Sequence, residues 1–288
     1  MRTNKPERHL LGGQRKSDAG RRCFTLLELL VVVAIIAVLC AFLFPVLVSG
    51  KSKAQRTRCI SNFHQLQTAW ATFESDHDAL PPNNDQPDAG RTTNRPSWVA
   101  GWLRLDNETG DKSDGTNTAL LVAPAFEPFG SLGPYTKAPG IYRCARDTST
   151  VRLGGADRAR VRSVSMNAYM NGAGVWQDAN FITFHRLEDI RNPSDAWVFI
   201  EERMDSINDG YFAVLMGAEY AIVDTPANYH DNQAVLSFAD GHVEPHKWKE
   251  PTTTPPIRPG VHMAGVPIYT SSQDQDMKWL TERSTIRK

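Results

Sequence analysis

Net charge is the first thing this sequence lacks: 32 Lys and Arg balance 32 Asp and Glu over 288 residues. The chain beyond residue 23 is mildly acidic, which gives no reason to propose nucleic acid as a partner. Phosphate-cradling P-loops, dinucleotide-type glycine patterns and a Ser-His-Asp order do not stand out either. That removes the common nucleotide-dependent and triad enzymes from consideration. Cysteine is scarce, with four residues, Cys23, Cys40, Cys59 and Cys144, too few for a disulfide-dense scaffold.

The neutral total conceals an asymmetry. Residues 1–23 carry seven basic side chains (Arg2, Lys5, Arg8, Arg15, Lys16, Arg21, Arg22) and two acidic ones (Glu7, Asp18). Removing these from the 32 of each sign leaves 25 basic and 30 acidic residues in the remainder. The basic head stands directly before an apolar stretch, Leu29 to Val48, that has no polar face. About 20 such residues are enough for a helix to cross the hydrocarbon of a bilayer. The one-sided Arg21-Arg22 flank keeps the N terminus cytoplasmic and sends the rest of the chain outward. A secretory signal peptide would have a shorter apolar region ending at a small-residue cleavage site. A lipoprotein cysteine would follow the apolar stretch, whereas Cys23 precedes it. Glu28 breaks the pattern, because a carboxylate in hydrocarbon is costly and usually partnered. Two readings are open for it: snorkelling to the interface near Arg22, or a functional pairing.

The run Arg22-Cys23-Phe24-Thr25-Leu26-Leu27-Glu28 ahead of the apolar stretch resembles the N-terminal signal of type IV prepilins and type II secretion pseudopilins. The resemblance implies that a prepilin peptidase cuts between Cys23 and Phe24 and methylates the new amine. Cys23 stands where that family has Gly, sometimes Ala. Glu28 falls at the family's fifth mature position and Pro45 at the twenty-second, a helix-kink position. The amine at Phe24 would then pair with Glu28 of a neighbouring subunit, which turns a costly membrane charge into a reason to assemble. Pro45, lacking an N–H, can kink the helix.

Beyond Lys51, Cys59, Phe63, Leu66, Trp70 and Phe73 recur at spacings of four, three, four and three, one face of an amphipathic helix. The run Pro81-Pro82-Asn83-Asn84 is expected to stop it. Residues 83–140, rich in turn formers, read as a long irregular insertion with small strands. Cys59 and Cys144 either pair in an oxidising compartment or stay as buried thiols. Trp197-Val198-Phe199-Ile200 reads as a strand leading into Glu201-Glu202 and an oxygen-rich turn. Ala234 to Ala239, Asp240-Gly241 and His242-Val243-Glu244 read as a hairpin with a two-residue type I′ turn. That turn would set Phe238 opposite Val243 and Ala239 opposite His242, with Leu236, Phe238 and Val243 on the core face.

His230, nine intervening residues and Asp240-Gly241 resemble the C-terminal signature of a large set of prepilin-like proteins of planctomycetes and related bacteria. Ile190-Arg191-Asn192-Pro193-Ser194 and Tyr142-Arg143-Cys144 fit the same set. His230, His242 and His246 with Asp240 match no closed zinc spacing; the bland reading has His230 hydrogen-bonded across the hairpin and His242 exposed. Calcium wants six to eight oxygens, and Asp205, Asn208, Asp209 and Asp240 could supply some, without EF-hand spacing. No other cofactor is expected.

The expectation is an α+β, pilin-like fold: a long N-terminal helix packed on an antiparallel β-sheet with a large irregular insertion. Its parts are a basic leader (1–23), a membrane and assembly segment (24–48), the outer half of the helix (49–80), a globular β-domain (81–250) and a C-terminal extension (251–288). The expected function is structural and non-enzymatic: a single-pass inner-membrane subunit, processed by prepilin peptidase and assembled with other pilin-like subunits into a pilus-like or type II secretion filament. Its C-terminal domain would lie in the periplasm or outside the cell. The alternative is a membrane-tethered glycan-binding or glycan-active β-domain, which requires Trp98, Trp102 and Tyr135 to line a groove.

Overall fold

The computed structural model describes residues 25–104, 112–217, 221–257, 262–263 and 265–288, without the side chains of 44–49. The chain divides into two units, Met1–Gly50 and Lys51–Lys288. Helix α1, Leu26–His77, contributes to both. In the first unit the helix carries one window, Leu26–Leu43, long and apolar enough to cross a membrane, with mean hydropathy 3.1 and no residue buried. The class is α+β.

In the second unit the amphipathic face of α1 is realised. Cys59, Phe63, Leu66, Trp70 and Phe73 are all buried. The helix ends at His77, earlier than the double proline, because Asp78 turns into the left-handed region at φ 53°. Such a residue cannot continue a right-handed helix. The chain then forms β1 (Asn83–Asn84), and among the described residues from there to 149 it has no regular strand, only short helical turns that include α2 (Ala119–Val122) and α3 (Gly133–Thr136). The small strands expected in this stretch are therefore mostly replaced: Leu120 to Val122 form a helical turn, and Trp98 to Ala100 are buried without strand pairing. Strands β2 (Thr150–Leu153) and β3 (Ala156–Ala159) make a separate antiparallel pair.

The main sheet follows. It draws on β4 (Val164–Asn167), while β5 (Gly172–Ala173) pairs with β1 instead. The sheet continues with β6 (Trp197–Glu201) and β7 (Tyr211–Phe212); β8 (Ala221–Ile222) lies outside it. The hairpin strands β9 (Gln233–Phe238) and β10 (Val243–Lys247) complete an order β10-β9-β6-β4-β7. Four strands pair antiparallel, but β7 runs parallel to β4, so the sheet is mixed rather than wholly antiparallel. A register shift between Trp197 and Ile200 marks a bulge against β9.

Both faces of this sheet are covered, which is why β6 and most of β9 read as near-continuous apolar runs. One face receives α1: Val198, Val235 and Ala239 share a core with Phe63, Leu66 and Trp70. Ser237 Oγ on that face donates to Gln67 Oε1 of the helix at 2.9 Å. The opposite face, with Trp197, Ile200, Leu236 and Phe238, packs on β7, β8 and the C-terminal segment. There β11 (Ile268–Tyr269) pairs with β8, and α4 (Gln275–Glu282) inserts Met277 and Leu280. Asp274 caps α4 by accepting from the Met277 amide at 2.9 Å. Ser284 is fully buried, and its carbonyl accepts from Asn167 Nδ2 at 2.9 Å. Residues 251–288 thus supply part of the core's second layer.

The irregular stretch is held by buried guanidinium groups rather than by strand ladders. Arg160 and Arg162 are fully buried. Arg160 donates to the carbonyls of Met204 at 2.6 Å and Ile207 at 3.2 Å, and also to that of Leu103. Arg162 donates to the carbonyls of Gly101 and Val164, each at 3.2 Å. Planar five-donor groups satisfy backbone oxygens that would otherwise be buried and unpaired.

His246 on β10 stacks against Trp279 of α4, with centroids 3.7 Å apart. Burial disfavours its imidazolium and pulls its pKa down from 6.5 to about 4. The folded state therefore holds fewer protons than the unfolded chain between those values, and stability rises with pH there. The detergent-solubilised chain should keep its full Tm above about pH 6.5 and lose stability progressively as the pH falls towards 4. His246→Phe should flatten that slope, and a melting series against pH measures it; an unchanged slope would assign it elsewhere.

Candidate functional sites: the N-terminal helix start and a buried Cys-Cys-His-Glu cluster

Cys23 and Phe24 lie outside the described residues. The described chain opens with Thr25 and Glu28 placed at the start of α1. Glu28 Oε2 accepts from the Thr25 amide and from Thr25 Oγ1, each at 2.8 Å, while the Glu28 amide donates to Thr25 Oγ1 at 3.2 Å. This is a reciprocal capping box, in which each residue satisfies the other's terminal backbone donor. Thr25-Leu26-Leu27-Glu28 has the Thr-x-x-Glu spacing that announces such a box locally. The hydrogen bonds to this carboxylate among the described residues fall on Oε2. Both residues are exposed, and among the described residues Oε1 takes no part in the box. Pro45 lies inside α1, whose helical backbone runs through it without interruption.

The C-terminal signature does something different from the expected cross-hairpin bond. The His230 amide donates to the Gln233 carbonyl at 3.3 Å, but its ring turns into the core. There Nε2 lies 3.2 Å from Cys144 Sγ and 3.4 Å from Glu201 Oε1. Cys59 Sγ and Cys144 Sγ are 3.0 Å apart, so the structure brings together two thiols that sequence alone could only suggest as a pair. All four side chains are buried, and their ligand atoms lie within 4.8 Å of one another. Each comes from a different segment. Cys59 is on α1, Cys144 follows the helical turn Pro139–Tyr142, Glu201 ends β6 and His230 precedes β9. The Ala145 and Arg146 amides donate to the sulfurs of Cys59 and Cys144 at 3.3 and 3.4 Å, and Val235 N donates to Glu201 Oε2 at 2.9 Å.

The electrostatics of the cluster are coupled. The hydrogen bond from Cys144 draws the Cys59 thiol down to about 7, and the same contact pushes Cys144 up. Burial acts to lower His230, but hydrogen bonds to Cys59 and Glu201 and their negative charge outweigh it and raise the imidazole to about 9. The site therefore favours a positive charge between sulfur and carboxylate.

Asp240 and Gly241 sit away from this cluster, in the hairpin loop. Only Gly241 has positive φ, at 96°, whereas a type I′ turn needs two such residues. The loop is consequently three residues long, with Gly241 as a bulge, and the Phe238 amide donates to His242 O at 3.0 Å. Every partner shifts by one from the two-residue expectation. Val243 faces Ser237, and Phe238 stacks on His242 at 4.1 Å. The one-residue shift also puts Val243 on the α1 side of the sheet and leaves Leu236 and Phe238 on the other. Asp240 accepts from His242 Nδ1 at 2.6 Å.

The oxygen donors considered for calcium do not converge. Both carboxylate oxygens of Asp205 are taken by Arg203, at 2.6 and 2.9 Å. Asp209 accepts from the Tyr211 amide at 2.8 Å and from Asn208 Nδ2 at 3.2 Å, and Asp240 is in the distant loop. Among the described residues, the group of His, Cys and acidic side chains able to hold a metal contains none of the four. The groove required for glycan recognition does not form from the named aromatics. Trp98 and Trp102 are buried, Trp98 donating its indole N–H to Gly210 O at 2.9 Å, and Tyr135 bonds to Asp76 at 3.1 Å.

Comparison with known proteins points to the N terminus. A family model described as the prokaryotic N-terminal methylation motif matches residues 21–44. The type II secretion system core protein G of Pectobacterium carotovorum subsp. carotovorum is 36% identical over 66 residues, 23% of this chain and 42% of that protein. The protein of the same name from Escherichia coli (strain K12) is 36% identical over 64 residues, 22% of this chain and 44% of that protein. The chain thus spans less than half the length of these curated relatives. No solved structure matches it.

Gly241 tests the loop. A Cβ there would meet nothing within 4 Å, so substitution is opposed by backbone conformation alone. Gly241→Ala should cost about 1–2 kcal/mol, with Gly241→Asn milder, read from denaturant midpoints. Equal stability of all three would show that the positive φ is not required.

Proposed function

We propose that this prepilin-like chain is a structural pseudopilin subunit, cut before Phe24 by a prepilin peptidase and assembled through its N-terminal helix into a pilus-like or type II secretion filament. The methylation motif at residues 21–44 and the similarity to core protein G support this reading. The helix start supports it physically. The capping box occupies one oxygen of Glu28 and fixes its rotamer, so the second oxygen is presented where a neighbouring subunit's N-terminal amine can reach it. Cleavage creates that amine at Phe24, and pairing removes two unmatched charges from the membrane at once. The apolar window Leu26–Leu43 anchors the subunit in the inner membrane, and the unit Lys51–Lys288 lies outside the cytoplasm. The packing of α1 on one face of a mainly antiparallel sheet suits a pilin-like body.

Two outcomes follow. Co-expression with a prepilin peptidase should shorten the chain by its first 23 residues, leaving a methylated Phe24 in N-terminal mass spectrometry; an intact Met1 would argue against processing. Glu28→Ala should leave membrane fractionation unchanged and sharply reduce recovery in sheared filament fractions, with Glu28→Asp intermediate. Wild-type recovery of Glu28→Ala would remove the assembly role.

A further inference from the structure

We propose that Cys59, Cys144, His230 and Glu201 form a closed structural zinc site that ties the outer half of α1 to the sheet. Two sulfurs, one imidazole nitrogen and one carboxylate oxygen make a donor set suited to tetrahedral zinc. With Zn–S near 2.3 Å and Zn–N or Zn–O near 2.0 Å, tetrahedral ligand atoms stand about 3.3–3.8 Å apart. The sulfur–imidazole separation of 3.2 Å and the imidazole–carboxylate separation of 3.4 Å are within a few tenths of an ångström of that, while the two sulfurs, 3.0 Å apart, must part by about 0.8 Å to admit the ion.

A disulfide is the rival occupant, and the surroundings argue against it. A neutral S–S bridge would leave His230 and Glu201, both buried, with only each other and the Val235 amide as partners among these groups. The amides of Ala145 and Arg146 point at the two sulfurs. N–H donors stabilise sulfur that carries negative charge, whereas neutral sulfur is a weak acceptor. Zinc gives each of these groups a partner. Its two positive charges match the thiolates, the thiol protons leave to solvent, and the Val235 amide orients Glu201 from behind. With four protein ligands and all of them buried, no coordination position is left for substrate, which makes the site structural rather than catalytic. The four donors come from segments far apart in sequence, the two cysteines 85 positions apart, so no short zinc spacing could have announced them. The proposal does not depend on filament assembly.

The test uses the full chain, purified in detergent from zinc-supplemented cells without chelator. Elemental mass spectrometry should find zinc equimolar with protein, and chelation should lower the Tm. Cobalt added to the chelated protein should give thiolate-to-cobalt charge-transfer absorption with tetrahedral d–d bands, lost in Cys59→Ser. If that variant does not fold, Glu201→Gln, which keeps the shape, should weaken zinc binding by more than about tenfold. The proposal is overturned by a Cys59–Cys144 disulfide in peptide mapping, or by two free thiols in a protein that takes up neither zinc nor cobalt.

Discussion

The structure of the globular unit depends on burying one face of one helix. Cys59, Phe63, Leu66 and Trp70 form a ridge that water would penalise by about 1.5–3 kcal/mol for each large side chain left exposed. Only a surface with a complementary apolar face can cover it, and β6 and β9 provide that surface through Val198, Val235 and Ala239. Once the helix occupies one side of the sheet, the other side needs its own cover. The C-terminal segment meets that need with Met277 and Leu280. The sheet is therefore the middle layer of a sandwich whose outer layers come from opposite ends of the unit.

This arrangement concentrates polar problems at the seams. Strands β4, β6 and β9 are buried on both sides, and the described residues between 85 and 149 contribute no strand ladder of their own to absorb backbone groups. Arg160 and Arg162 act there as donors to six backbone carbonyls. The Cys-Cys-His-Glu cluster marks another seam, where α1, the irregular stretch and the sheet meet. A metal at such a junction would link all three layers, which gives the proposed zinc a clear structural role. The local problem at the start of α1 is solved differently. Thr25 and Glu28 close the first turn by themselves, and the same carboxylate remains presented for the proposed partner amine.

Much of this was legible in the sequence where the signal is local or periodic. The apolar window, the basic flank, Glu28, the 3.6-residue periodicity from Cys59 to Phe73 and the β6 strand each follow from side-chain chemistry at short spacing. The hairpin was legible in place but not in register. Asp240-Gly241 permits either a two-residue or a three-residue loop, and the choice lies in which residues carry positive φ. A difference of one residue sent Val243 and Phe238 to opposite faces. The oxygen-rich turn from Asp205 to Asp209 looked like a cation site because its composition is acidic, yet Arg203 and backbone amides already occupy those oxygens.

The sequence by itself determined a membrane-competent helix with a prepilin-type start and an amphipathic continuation, because both rest on periodicities within a single element. Only the tertiary structure decided what His230 does. Its ring meets Cys59, Cys144 and Glu201 across segments that no spacing rule connects, and a side chain's partners in a core are fixed by the packing of distant elements. The prepilin-type segment and His230 therefore have separate places in the structure: one begins an apolar helix, and the other lies against that helix's continuation and the end of β6.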